Sequence, residues 1–291
     1  AELSLLCGPA LLLFGLFVLV PIILAAYHSL YDWVGFGAKT FDGLHNYGTA
    51  ISDPVFRSSI LHNVIIALLS VAIQLPLSIA LAMLLNRRLK GQAVMRLLIF
   101  APYVVSEAIT AVIWLLLLQP GGFADEVMKR AGLGGLVQLW LGNPHIVLYT
   151  MFAVVTWKYI GFGIILLLAG LQGVPPELRE AAAIDGASSL QITRHVVLPL
   201  LGPTIRIWIF LSVIGSLQLF DVVWIMTAGG PANASSTMVT YLIHNGFNSY
   251  EFGYGSAVAV ILFIVCFAFA LVYQRFAMRR DTSGALTAMA G

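Results

Sequence analysis

The sequence predicts an all-α membrane protein that crosses the bilayer six times. Three observations carry that prediction. Sixty per cent of the 291 residues are hydrophobic and only 10% are charged, against about 25% charged in a soluble domain. The apolar residues lie in unbroken runs rather than alternating, which suits helices and not barrel strands. Six runs reach the roughly 20 residues that a spanning helix needs. With a mean hydropathy of +0.94, so much apolar surface cannot hide inside one soluble core, and lipid must be its solvent.

In chain order, the first run covers 3–30 and contains Pro9 and Pro21. It is too long for the core of a secretory leader and no small-residue cleavage site follows, so it is read as a retained helix. The abrupt start at Ala1 leads us to expect a longer natural N-terminus. The remaining runs cover 64–85, 97–118, 146–171, 205–226 and 253–273. The loops 31–62, 119–145 and 227–252 contain Gly, Pro, Asn and Asp and are too short to fold as domains. Residues 1–280 are therefore read as one membrane domain, and the small, polar 281–291 as a disordered tail.

Orientation follows from basic residues in short loops. Arg87, Arg88, Lys90, Arg96, Arg179, Arg194, Arg206, Arg275, Arg279 and Arg280 fall on one side, ten in all. Lys39, Arg57, Lys129 and Arg130 make four on the other, and Lys158 lies within a span. Both termini are expected in the cytoplasm.

Several chemistries find no support. Cys7 and Cys266 sit in apolar runs without metal-ligand spacing, so they are read as small fillers, with no disulfide or metal site expected. No basic patch interleaved with aromatics points to nucleic acid. No G-x-x-x-x-G-K-[ST] phosphate loop is present, and no catalytic residue is assigned.

The loop 172–203, QGVPPELREAAAIDGASSLQITRHVVLPLLGP, differs from the others. Pro175 and Pro176 suit a first helical turn, Glu177 and Glu180 suit its positive end, and Glu180–Ile184 is rich in alanine. Asp185-Gly186 reads as a turn. Ala187 to Val197 reads as a second short helix that Leu198-Pro199 ends. The result is a helix–turn–helix with small residues on one face. It serves equally as an interfacial linker without a partner or as a surface for close approach.

Glu180-Ala181-Ala182, then Asp185-Gly186-Ala187, then Val196-Val197-Leu198-Pro199 resembles the EAA motif of permease subunits of binding-protein-dependent ABC importers. Thr193 departs from the aromatic that many members carry there. Phe220-Asp221 with Thr227-Ala228-Gly229-Gly230-Pro231-Ala232 resembles an element of the first of the two permease subunits in carbohydrate uptake systems. Gly43-Leu44-His45-Asn46-Tyr47 with Asp53-Pro54 resembles the first outer loop of the same subunits, and Trp157 with Gly161-Phe162 and 167–172 adds a fourth match. The resemblance covers about 9–276.

It implies a type I ABC importer permease fold in a prokaryotic inner or plasma membrane. It implies a second, non-identical permease subunit, two ATP-binding subunits that carry ATP and Mg, an extracytoplasmic solute-binding protein, and a sugar substrate. This chain would hold no cofactor. Glu180, Ala181, Ala182, Asp185, Gly186, Ala187, Leu198 and Pro199 would couple it to an ATPase. Glu180 would be the anchor, although it also suits a helix N-terminus alone.

Sugars are held by polar side chains and aromatic faces. Candidates at mid-membrane depth are Tyr103, Ser106, Glu107 and Thr110, then Thr156, Trp157, Lys158, Tyr159 and Gly161, then Ser212, Gly215, Ser216, Gln218, Leu219 and Asp221. In maltose-type members of the family, positions aligning with Tyr103, Glu107, Trp157, Ile160, Gly161, Ser212, Gly215, Ser216 and Leu219 touch sugar. Amides stand in those members where this chain has Trp157, Ser216 and Leu219. Small residues among them also suit plain helix packing. Glu107 and Lys158 lie at similar depth. Neither is expected to face lipid, and they either pair or separate, with Glu107 on a cavity. A secondary transporter and an intramembrane enzyme remain as alternatives. The first would show related halves and the second converging catalytic groups, neither of which is visible.

Overall fold

The computed structural model describes residues 2–87 and 90–278, so the tail expected at 281–291 lies outside the described residues. Helix α1 covers 2–28 as Glu2–Phe14 and Val20–His28 joined by a π-turn at Gly15–Leu19. A short antiparallel hairpin follows, β1 (Tyr31–Asp32) and β2 (Thr40–Phe41), with Tyr31 opposite Phe41. Then come α2 (His45–Ser52), the long α3 (Pro54–Leu85), α4 (Gln92–Val104), α5 (Glu107–Leu118) and α6 (Phe123–Arg130). Next are α7 (Val147–Gln172), α8 (Pro176–Ile184) and α9 over 189–200. The chain continues with α10 (Gly202–Leu217), α11 (Asp221–Thr227), α12 (Met238–Leu242) and α13 (Phe252–Tyr273).

Among the described residues, five stretches are long and apolar enough to cross a membrane: α1, α3, α7, α10 with α11, and α13. The bent pair α4–α5 is the sixth if counted as one span. The all-α polytopic fold follows the composition. Four details differ from the sequence expectation.

Span two begins at Pro54 rather than 64. The Asp53 carboxylate accepts the Val55 and Phe56 amides at 2.6 and 3.2 Å, and Pro54 occupies the first helical position. Span three, expected to be continuous over 97–118, breaks at Val105–Ser106 and turns by 102°. Val105 is extended, and the Ser106 hydroxyl caps the new helix at the Ile109 amide, 3.3 Å away. Span five also breaks, at 218–220.

Leu198-Pro199 does not end its helix either. Pro199 sits inside Leu198–Leu200, two residues after a π-turn at Thr193–Val197. Pro21 follows Leu19, the last residue of the first π-turn, in the same way, and Pro76 follows a π-turn at Ser70–Gln74. Proline lacks the N–H of the helical ladder, and its ring presses on the carbonyl four residues back. The wider turn relieves both without ending the helix.

Helix α7 is the axis of the packing. It is buried along most of its length against α3, α4 and α10. Val147, Met151 and Val154 join Ile66 and Ala111 in one apolar cluster, while Ile164 and Leu167 join Ala82, Leu85 and Leu201 in another. Gly161 permits the approach of α4: a Cβ there would sit 2.6 Å from the Ile99 carbonyl oxygen. Between α4 and α7 on one side and α10 on the other, the two helix breaks face a common space.

Candidate functional site

That space is a cavity of about 380 Å³. Tyr103 and Glu107 flank the first break on its wall; Ser212, Gly215, Ser216, Gln218, Leu219, Phe220 and Asp221 lead into and through the second. A break leaves backbone carbonyls without helical partners, and hydrocarbon supplies no water to satisfy them. Each break is therefore held by a buried side chain from another span.

At the first break, Lys158 on α7 is 3% exposed, and its ammonium donates to the carbonyls of Tyr103 (3.2 Å), Pro102 (3.4 Å) and Val105. The neighbouring Tyr159 hydroxyl donates to the Glu107 carboxylate, so α7 grips both sides of the bend. At the second break, the Asn63 amide on α3 donates to the Ser216 carbonyl at 2.6 Å, and its oxygen accepts the Met238 amide at 2.9 Å. The Thr237 hydroxyl donates to the Leu219 carbonyl at 2.8 Å.

The residues expected along a substrate path therefore divide. Tyr103, Glu107, Ser212, Gly215, Ser216, Gln218, Leu219 and Asp221 meet at the cavity. Trp157, Lys158, Ile160 and Gly161 do not line it. Trp157 packs edge-on against Trp114, with ring centres 5.4 Å apart, and is 38% exposed. Ile160 packs with the cluster around Ile164, and Gly161 receives α4. Among the described residues Lys158 and Glu107 form no ion pair. Tyr159, noted at mid-membrane depth, does line the wall, and the sequence reading missed Ser70, Gln74, Val155, Phe162 and Trp208 there. The spacing of Val155, Tyr159 and Phe162 was the available signal, because it is one face of a helix.

On the side opposite the loops 31–62, 119–145 and 227–252, α8 and α9 form an exposed pair. The Gly186 amide donates to the Ala183 carbonyl at 3.1 Å and the Ala187 amide to the Ala182 carbonyl at 3.0 Å. This is a Schellman closure with Gly186 left-handed at φ +84°. Ser188 then opens α9 with a capping box: its amide donates to the Gln191 side chain at 2.7 Å, and its hydroxyl accepts the Gln191 amide at 3.4 Å. Glu180, Ala181 and Asp185 are exposed, Ala182 and Ala187 half-buried. Leu198 is half-buried and Pro199 exposed beyond the π-turn. Glu180 shares a cleft of about 430 Å³ with Arg87, Arg179 and Thr193.

The motifs around 43–54 and 227–232 are tied into the fold by hydrogen bonds. Asn46 donates to the Ser29 and Tyr31 carbonyls at 3.0 and 3.1 Å, and Tyr47 bonds the Ser29 hydroxyl at 2.6 Å, tying α2 to the hairpin. Thr227 and Ser235 bond at 2.8 Å, with the Ser235 hydroxyl donating to the Gly230 carbonyl at 2.6 Å across the Gly-Gly-Pro turn. In the loop before α7, Asp125 accepts the Trp140 indole at 2.9 Å and the Gly121 amide at 2.8 Å. Those bonds, the indole first, hold its carboxyl below the ordinary range.

A family model described as a binding-protein-dependent transport system inner membrane component matches residues 74–281. The chain belongs to that family. A trehalose/maltose transport system permease protein of Thermococcus litoralis is 33% identical over 276 residues, covering 94% of this chain and 92% of its own length. A probable ABC transporter permease protein of Pyrococcus horikoshii is 33% identical over 268 residues, 91% of each chain. In fold, the chain matches a bacterial alginate ABC transporter, solved in complex with an alginate pentasaccharide-bound periplasmic protein. The TM-score is 0.83 at 21% identity, over 96% of this chain and 94% of that one. The family is a membrane transport family, and this chain is a multi-pass membrane protein of the ABC importer permease fold.

Proposed function

We propose that the chain is one of two non-identical membrane subunits of an ATP-driven importer of sugars. The protruding helix pair carries this reading. None of the residues of α8 is buried, and Ile184 and Leu190 stand 87% and 77% exposed at its tip. Large apolar side chains grouped on a protrusion mark a docking surface. Its occupant is a cytoplasmic ATP-binding subunit, with Glu180 meeting a basic side chain of that subunit and Gly186 setting the angle between the helices. Both termini lie on the same side as this surface, and an extracytoplasmic binding protein delivers solute to the other.

The cavity between the two breaks is this subunit's share of the sugar path, with Tyr103, Glu107, Ser212, Gly215, Ser216, Gln218, Leu219 and Asp221 on its wall. Closure of the ATPase pair moves α8 and α9 as a rigid body, and the motion is passed through α7 and α10, which flank them in the chain. Supporting the sugar assignment is the trehalose/maltose relative.

The test is co-purification followed by coupled transport. Wild-type protein is expected to bring down a second permease and an ATPase. Gly186→Val, which forces a β-branched residue to φ +84°, is expected to keep the permease pair while losing ATPase and coupled uptake. Uptake that proceeds with no ATPase bound refutes the reading.

A further inference from the structure

The cavity wall has a charge inventory that the sugar assignment does not use. Glu107 and Asp221 both lie on it, while none of its lining residues is Lys, Arg or His. The nearby cation, Lys158, is 3% exposed and turned to the carbonyls of the first break. A second, independent observation lies on α3. Gln74 is 3% exposed and lines the cavity, and among the described residues its amide makes no hydrogen bond. The amide opens onto the cavity, and a hydroxyl there would supply the partner that the protein does not.

We infer that the cavity is a subsite for an uncharged, hydroxyl-rich solute, in which Gln74 bonds a hydroxyl directly and Glu107 with Asp221 turns anionic solutes away. The inference rests on the reading of this chain as part of a sugar path, and it divides that class. Neutral oligosaccharides fit, and uronates, sulfonated sugars and sugar phosphates do not. Carboxylates accept hydroxyl hydrogens. They repel a second anion where the surroundings are poorly polarisable; Lys158 behind the wall offsets part of this at Glu107, while Asp221 has no cation beside it among the lining residues. The site thus discriminates partly by an unfavourable contact with the wrong solute.

The charge of thiol reagents tests this without knowledge of the natural solute. Gly215 lies on the wall, and a Cβ there meets nothing within 4 Å. Gly215→Cys is made with the free cysteines removed (Cys7→Ser, Cys266→Ala), in the full complex. It is labelled with cationic, neutral and anionic methanethiosulfonates. The cation-to-anion rate ratio, normalised to a free thiol, is expected to exceed unity about tenfold and to fall to unity with Glu107→Gln plus Asp221→Asn. Excess maltose is expected to slow neutral labelling several-fold, glucuronate not at all, and Gln74→Leu to abolish the maltose effect. A ratio of unity in the unneutralised protein overturns the inference, as does a ratio that survives neutralisation. Equal protection by both sugars, no protection by maltose, or protection that persists in Gln74→Leu also overturns it. Co-purification with an ATPase is scored separately, so failure here leaves the importer reading standing.

Discussion

Replacing Lys158 with methionine keeps an apolar stem of similar length on α7 and removes the ammonium that gathers the carbonyls of Pro102, Tyr103 and Val105. The Pro102 contact, at 3.4 Å, is long and weak, which leaves two bonds that count. Hydrogen bonds to a charged group contribute about 1.5–3 kcal/mol each, so the loss is about 3–6 kcal/mol. The ammonium itself is costly at mid-membrane, about 2.5–3.5 kcal/mol, and its removal offsets that much. The net destabilisation lies between about zero and 3.5 kcal/mol, too small to unfold a large helical bundle. The effect is local. With its carbonyls unpartnered, the 102° break between α4 and α5 loosens, and Glu107 and Tyr103 leave their places on the cavity wall. Lys158→Met is therefore expected to lower the thermal midpoint of the purified complex by only a few degrees. Amide exchange over residues 106–111 is expected to speed up tenfold or more, and Lys158→Arg is expected to restore most of the protection. Wild-type exchange in Lys158→Met would refute this account of the break.

Three further outcomes are expected. Asn63→Leu leaves the Met238 amide unpartnered and the Ser216 carbonyl with only the long Leu219 amide bond at 3.5 Å, at about 1–3 kcal/mol each, and should lower the thermal midpoint more than Lys158→Met does. Gly161→Val puts a Cβ 2.6 Å from the Ile99 carbonyl oxygen and should separate α4 from α7, reducing folded yield; Gly215→Ala, with open space around it, should not. Asp125 has a lowered folded pKa, so its stabilisation of the 119–145 loop is full above the ordinary carboxyl value of 3.8 and is lost as pH falls below it. Amide exchange over 121–130 should therefore accelerate in acid, and Asp125→Asn should show the acid behaviour at neutral pH.

Composition and run length were enough to expect a six-span helical bundle, because hydrocarbon leaves a chain few other options. The Asp185-Gly186 turn was legible because that dipeptide has one common conformational use, and Gly186 adopts it at φ +84°. The breaks were not legible. Pro102 and Ser106 lie within a run that hydropathy reads as continuous, and the partners that hold the bend sit more than fifty residues away. That Trp157, Lys158, Ile160 and Gly161 do not line the cavity has a simpler cause. Helical residues turn by about 100° each, so a run as long as 157–161 points to all sides of α7, and the wall takes Val155, Tyr159 and Phe162 instead. Gln74 escaped notice because it stands alone in an apolar run, where a single amide carries little weight until a cavity is seen beside it.

An unbroken helix brings its own scaffolding with it, since every interior carbonyl finds its partner one turn along. A broken one must borrow. Here the lenders are α7 and α3, through Lys158 and Asn63, and neither side chain lines the cavity whose outline it maintains. The shape that a passing solute meets is thus written partly in residues that never touch it. Comparison of relatives by wall residues alone will group together cavities of different form. Attempts to retune the passage by exchanging those residues will succeed only where the two remote supports are left in place or are exchanged with them.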